Sequence, residues 1–299
     1  MTTPAPRKPA HRSSERPGMK RRVAIRAPLV LGAFLMACAH AQPEGQPSSD
    51  AGLPYLPRSH SHNDYEHPRP LVDALERGFA SIEVDVVLRD GEIYVGHGAD
   101  EVEEWVTLTS LYLAPLREVV RQNQGTVYGP SRPPLQLLVD VKTDADATYL
   151  ALERVLGEYS DMLTKWMDDR PESGAVSIVL SGNRALESIA AGSPRYAAID
   201  GRILDDRGGL SPEAMPLVSA DWEKLGPPVR EDRLARAREL VEQMHAEGRK
   251  VRFWATPEDE GLWTSLIAMG VDYIGTDDPS RLERLLLEIE VEPVTAIDD

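Results

Sequence analysis

Cysteine is almost missing from this chain: of 299 residues only Cys38 is one. No internal disulfide can form, so the fold has to stand on packing alone. Positive charge is also in short supply, with 33 Lys and Arg against 49 Asp and Glu. Such a surface repels polyanions, which argues against nucleic acid as a partner. No long apolar run is present either. The one hydrophobic stretch near the N-terminus, Ala27 to Ala37, is too short to span a bilayer as a permanent helix. No internal repeat and no second domain is visible. Hydrophobic content of 41% and charged content of 27% are ordinary for a globular protein.

The N-terminal region has its own grammar. Lys20-Arg21-Arg22 and Arg26 precede the apolar stretch, as in an export signal, and Met19 is a candidate start. Arg21-Arg22 hints at twin-arginine export. Leu35-Met36-Ala37-Cys38 resembles the bacterial lipobox, which predicts lipidation of Cys38 and membrane anchoring. Cleavage after Ala39-His40-Ala41, giving a soluble secreted protein, is the alternative, and both place the mature chain outside the cytoplasm. Residues 1–37 hold eight Lys/Arg and one Glu, so without them 25 basic residues face 48 acidic ones, a net charge of −23. Residues 38–54 read as a flexible tether and 289–299 as an acidic tail.

Between them, over 55–288, short β-rich runs alternate with helical patterns, which implies a parallel sheet. The expected strands are Leu56–His62, Ala80–Leu88, Leu135–Lys142, Val176–Ser181, Tyr196–Asp200, Leu217–Asp221, Lys250–Ala255 and Tyr273–Thr276. The expected helices are Leu71–Arg77, Leu108–Gln122, Thr148–Asp168, Asn183–Ala191, Glu231–Glu247 and Gly261–Met269. Eight strands over this length predict a single-domain α/β fold, a TIM-type (β/α)8 barrel, with an open doubly wound sheet as the alternative.

In a strand, residues i and i+2 face the same side. Three expected strands carry polar pairs at that spacing near their C-terminal ends: His60 with His62, Glu83 with Asp85, and Asp140 with Lys142. Carboxylates between valines are costly to bury unless they are paired or bind metal. Arg89-Asp90-Gly91-Glu92 is a hairpin signal, and the returning strand Ile93-Tyr94-Val95 brings His97 to within a strand spacing of the Glu83/Asp85 pair. Strict register aims His97 at the Val84 side, so Gly96 and Gly98 are expected to let the chain turn. The oxygen-only set of Glu83, Asp85 and Asp140 suits a hard cation, Mg²⁺ or Ca²⁺, rather than zinc.

These motifs, in this order, resemble the glycerophosphodiester phosphodiesterase and phosphatidylinositol phospholipase C-like superfamily. Ser59-His60-Ser61-His62-Asn63-Asp64-Tyr65, Arg69-Pro70-Leu71, Arg252-Phe253-Trp254-Ala255-Thr256-Pro257 and Gly270 to Asp277 resemble a subgroup that includes fungal altered inheritance of mitochondria type proteins. The resemblance implies a metal-dependent hydrolase of a small phosphodiester or lipid headgroup. It implies that His62, or His60, is the general base, that His97 is the general acid, and that Lys142 neutralises phosphoryl charge. It makes Asn63, Trp254 and Asp277 candidate substrate contacts, although for Asp277 the cap of the helix starting at Pro279-Ser280 is the slightly favoured expectation. Two features depart from the superfamily pattern. Its usual His-Arg-Gly opening is replaced here by His-Ser-His-Asn-Asp-Tyr, and its usual His-Asp by His97-Gly98. Two rival readings are an amidohydrolase-type metallohydrolase, from His60-x-His62, and a non-catalytic ligand-binding barrel.

Overall fold

The computed structural model describes residues 53–168, 170–203, 205 and 209–291. In chain order its first half runs β1 (Leu56–Ser61), α1 (Val72–Glu76), β2 (Phe79–Arg89), β3 (Glu92–Val95), α2 (Ala114–Gln122), β4 (Leu135–Val141) and α3 (Ala145–Gly157). It continues with β5 (Lys165–Met167), β6 (Arg170–Glu172), β7 (Val176–Gly182), α4 (Leu186–Ala191), β8 (Ala197–Arg202) and β9 (Leu217–Asp221). The last elements are α5 (Arg230–Ala246), β10 (Lys250–Trp254), α6 (Glu260–Ala268), β11 (Tyr273–Thr276) and α7 (Pro279–Val291).

Strands β1, β2, β4, β7, β8, β9, β10 and β11 pair in parallel, and β1 bonds both β2 and β11, so the sheet closes on itself. This is the expected eight-stranded barrel with helices outside, and the open sheet is excluded by that closure. β3 lies outside the cylinder, antiparallel to β2, with Arg89 opposite Glu92 across a two-residue turn. Asp90 and Gly91 both have positive φ, as the twist of a hairpin demands.

The barrel interior is layered by the two-residue period of its strands. Leu138, Val179, Ala198 and Leu217 form a lower apolar layer with Tyr273 and Trp166. Two residues further along the same strands come Asp140, Ser181, Asp200 and Ser219. Two residues along each of these neighbouring strands therefore change the lining from aliphatic to polar. The larger apolar cluster lies between the sheet's outer face and the helices, with Ile82, Val84 and Val86 of β2 all buried.

One expected element is corrected. The helix read over Thr148–Asp168 ends at Gly157, and the following segment forms a turn and then the β5–β6 hairpin. Helix α3 buries Thr148, Tyr149, Ala151, Leu152 and Leu156. The later apolar residue Trp166 instead packs beneath the barrel, its ring N–H donating to the Glu213 carbonyl at 3.0 Å. Tertiary burial outweighs helical propensity there.

The expected leader, Cys38 and most of the tether lie outside the described residues, as does the tail from residue 292. Leu53 packs on the core and α7 runs to Val291, so the packed unit extends slightly beyond 55–288. No helix among the described residues is long and apolar enough to cross a membrane.

Candidate active site

The parallel register sets Asp85 beside Asp140 and Asp140 beside Ser181 at the C-terminal ends of β2, β4 and β7. Glu83, one inward position below Asp85, completes a group whose carboxylate oxygens lie within 4.8 Å of one another. Three like charges this close, two of them on buried residues, need compensation.

Part of it comes from the protein. Glu83 Oε2 accepts from Arg252 Nη1 at 2.5 Å and lies 2.8 Å from His60 Nε2. Burial alone would raise the Glu83 pKa, but the Arg252 guanidinium and the His60 hydrogen bond hold it far below the usual carboxylate range. Asp85 Oδ2 is crowded, with the Tyr65 hydroxyl at 3.0 Å, His97 Nδ1 at 2.8 Å and Lys142 Nζ at 3.2 Å. Lys142 Nζ also lies 3.4 Å from Asp140 Oδ2. The Asp140 pKa is raised by burial and by the charges of Glu83 and Asp85, against the pull of Lys142.

The other oxygens of both aspartates, Asp85 Oδ1 and Asp140 Oδ1, are buried and have no hydrogen-bond partner. A buried carboxylate oxygen without a donor is costly, and two in one cluster are what a cation would satisfy. Room is kept for the Asp140 carboxylate as well. Gly182 closes β7 at φ +66°, and a Cβ there would stand 2.0 Å from Asp140 Oδ1. Hard oxygen donors alone suit Mg²⁺ or Ca²⁺, so the residues present fit the expected class of ion.

The structure separates the two histidines of β1 that the i, i+2 argument left equivalent. His60 is fully buried, with both ring nitrogens engaged. Gln136 donates to Ser81 Oγ at 2.8 Å, Ser81 Oγ lies 2.8 Å from His60 Nδ1, and Glu83 Oε2 lies 2.8 Å from His60 Nε2. Arg252 Nη1 is within hydrogen-bond distance of both His60 Nε2 and that same Glu83 oxygen. Burial first, and Arg252 second, lower the His60 pKa to about 4. Full burial with both ring nitrogens engaged leaves it none free to act as a base, which corrects its candidacy for that role. It also removes the His-x-His pair on which the amidohydrolase reading relied.

His62 lies past the end of β1 with its side chain 40% exposed, and its Nδ1 is 2.6 Å from Asp277 Oδ1. Burial pulls its pKa down, but the Asp277 hydrogen bond and the charges of Glu83 and Asp277 outweigh this and raise it. Asp277 is correspondingly lowered, chiefly by His62. The cap expected of Asp277 belongs instead to its neighbour, since Asp278 Oδ1 accepts from Arg281 N at 3.1 Å.

His97 reaches Asp85 through the anticipated turn. Gly96 N donates to the Asp85 carbonyl at 3.0 Å, keeping the hairpin register, and Gly96 then adopts φ +151°. The chain swings there, and the His97 side chain, 64% exposed, comes back over Asp85. Two imidazoles thus share one arrangement, each tied through Nδ1 to a carboxylate.

Other candidate positions fall at the rim. Asn63 follows His62 in the left-handed region (φ 43°), which Asn tolerates, and its carbonyl starts the turn over Asp64–Glu66. Buried Asp64 fixes that loop by accepting from Ser61, Leu71 N and Tyr112. Trp254 ends β10, partly exposed, with Lys224 Nζ 5.4 Å from its ring centre.

Arg252 went unassigned in the sequence reading, although it stands at i, i+2 with Trp254 on its strand. The Asp200/Arg202 pair of β8 carries the same signal and was missed because that strand was ended at Asp200.

Residues 55–199 match the family described as AIM6-like phosphodiesterase domain, and residues 250–280 match the glycerophosphoryl diester phosphodiesterase family. Altered inheritance of mitochondria protein 6 from Eremothecium gossypii is 30% identical over 279 residues, covering 76% of this chain and 68% of its own. This chain belongs to that family. The homologous Arthroderma benhamiae member is 28% identical, with 73% of this chain and 80% of its own covered. In three dimensions, a glycerophosphodiester phosphodiesterase from Parabacteroides distasonis superposes with a TM-score of 0.50 at 17% identity, covering 78% of this chain and 98% of that one. That likeness shows the fold, a closed eight-stranded parallel barrel with helices outside.

Family membership also corrects one expectation. The extracytoplasmic placement, as a bacterial lipoprotein or a periplasmic or secreted protein, is overturned by relatives that are fungal altered inheritance of mitochondria proteins.

Proposed function

We propose that this family member is a divalent-metal-dependent phosphoric diester hydrolase, working by histidine acid–base chemistry on a small phosphodiester or lipid headgroup. The observation that carries the reading is the pair of exposed imidazoles, each oriented through Nδ1 by a carboxylate, beside a carboxylate cluster with two unpartnered oxygens. A phosphodiester needs a proton removed from the attacking hydroxyl and one delivered to the departing alkoxide. His62, with Asp277 on Nδ1, accepts the first proton at Nε2. His97, with Asp85 on Nδ1, delivers the second from its own Nε2. Lys142 sets a positive charge beside the phosphoryl oxygens. Glu83, Asp85 and Asp140 would hold Mg²⁺ or Ca²⁺, which supplies Lewis-acid neutralisation of phosphoryl charge. Trp254, Asn63 and Asp277 would contact the alcohol portion.

The direct experiment is turnover by the purified chain, with Mg²⁺ or Ca²⁺ and then with chelator, on bis(p-nitrophenyl) phosphate, glycerophosphodiesters and lysophospholipids. Metal-dependent cleavage of at least one is expected. A folded protein inert on all of them would leave the rival reading, a non-catalytic binding barrel.

A further inference from the structure

The space between the ends of β7 and β8 holds a second polar assembly that the mechanism above does not use. Asp200 is fully buried, and its Oδ2 accepts from Ser181 Oγ at 2.9 Å and from Arg202 Nη1 at 2.6 Å. Arg202 Nη2 donates to Ser181 Oγ at 2.9 Å, and the Arg202 backbone N–H is tied to Asp205 Oδ2 at 2.6 Å. Arg184 braces the same corner by donating to the Asp200 carbonyl and to Asp205. The guanidinium is therefore fixed at several points, yet its side chain stays 28% exposed.

Its position relative to the carboxylate cluster follows from the sheet. Ser181 is the register partner of Asp140, about one strand spacing, roughly 5 Å, from it, and the guanidinium bonded to Ser181 Oγ lies on the far side of Ser181. Lys142 lies on the β2 side of Asp140, where it touches Asp85. Arg202 lies on the β8 side. Gly182, next along β7, packs so close to Asp140 that a Cβ on it would stand 2.0 Å from Asp140 Oδ1.

A buried ion pair that served only the fold would gain most from a two-pronged contact. Arg202 instead meets Asp200 through a single oxygen and turns its second nitrogen to Ser181, while Asp200 Oδ1 has no partner. The geometry holds a guanidinium in place rather than burying it. Guanidinium forks match phosphoryl oxygens, and one fixed in advance loses little entropy on binding them.

We propose that Arg202 is a second phosphoryl-binding residue, on the opposite flank of Asp140 from Lys142, with Asp200 and Ser181 as its positioning residues. The proposal deepens the phosphodiesterase reading and rests on it for the identity of the substrate. A diester anion approaching a carboxylate-rich mouth then meets a cation on each side of Asp140, which fixes its orientation as well as its charge.

Inorganic phosphate is the probe, titrated calorimetrically into the full chain with Mg²⁺ present, alongside the melting temperature of each variant. Wild type is expected to bind it, Arg202→Gln to weaken binding by about tenfold or more, and Arg202→Lys to fall between them. Ser181→Ala, which loosens the guanidinium without removing charge, is expected to weaken binding by a few-fold in a chain that still folds, at a somewhat lower melting temperature. It decides the matter if Arg202→Gln does not fold. Equal phosphate affinity in wild type and variants, or none in wild type, overturns the proposal. Phosphate binding that depends on Arg202 in a chain that cleaves no diester would retain the anion site and reject the hydrolase reading.

Discussion

His97 Nδ1 and Asp85 Oδ2 lie 2.8 Å apart, although twelve residues and a hairpin turn separate them in the chain. The contact ties an exposed imidazole to a carboxylate whose other oxygen has no donor. One side chain thus orients the proposed acid and faces the proposed cation position, so the two functions are coupled through Asp85.

The two proposed proton-transfer roles separate by leaving group. His62→Ala is expected to lower kcat/KM by about 10²- to 10⁴-fold on every diester. His97→Ala should do the same on alkyl diesters but cost far less on bis(p-nitrophenyl) phosphate, whose phenolate departs without a proton. Kinetics on both substrates check this, and equal losses from both variants on both substrates would refute the assignment.

The His62–Asp277 pair predicts the pH profile. A base with a raised pKa is deprotonated only at higher pH, so the acid limb of kcat/KM should lie above 6.5. Asp277→Asn should move that limb down. The linked stability has a defined sign too. The raised His62 contributes stability that is fully present below about 6.5 and is lost as pH rises through its folded-state pKa. The lowered Asp277 contributes above its ordinary value near 3.8 and is lost as pH falls below it. Denaturation across pH should show both losses in wild type and neither in Asp277→Asn.

Arg252 is predicted to be structural first. Arg252→Met leaves Glu83 buried beside His60 without its cation, and breaking such a pair costs about 3–5 kcal/mol. Urea denaturation measures it. The double variant Arg252→Met, Glu83→Gln should recover much of the loss, because no bare carboxylate remains. If both variants unfold alike, the ion pair is not what Arg252 contributes.

Metal addition and the cradle around Asp140 make a linked pair of tests. Mg²⁺ or Ca²⁺ at a hundred times its dissociation constant should stabilise wild type by about 2.7 kcal/mol. Asp140→Asn should lose that gain, yet be at least as stable as wild type in chelator, because it removes one of three crowded negative charges. Gly182→Ala should lose the gain and also be destabilised in chelator, since its Cβ would strike Asp140 Oδ1 and its φ is positive. Melting curves with and without metal separate the two.

Much of the site could be read from the chain because a strand's period is two. Glu83-x-Asp85 and Asp140-x-Lys142 each announce an inward polar face, and register alone sets Asp85 next to Asp140. The hairpin at Asp90-Gly91 brought His97 into range by the same geometry. That reasoning stops at contacts between strands distant in the sequence. Sequence favours Asp277 slightly as a helix cap, and only closure of β11 onto β1 brings it to His62, 215 residues away. Arg252 shows the same limit, since its partner Glu83 is reached only across the barrel interior.

The sequence by itself determined the alternation of strands and helices, the level at which the lining turns polar, and the hard-oxygen character of the cluster. These follow from local periodicity and side-chain chemistry, which each segment carries with it. Tertiary structure decided which histidine is exposed, which carboxylate orients each imidazole, and how Glu83 is neutralised. Those depend on burial and on charges brought together by barrel closure: His60 and His62 carry the same ring, and only their surroundings drive one pKa down and the other up.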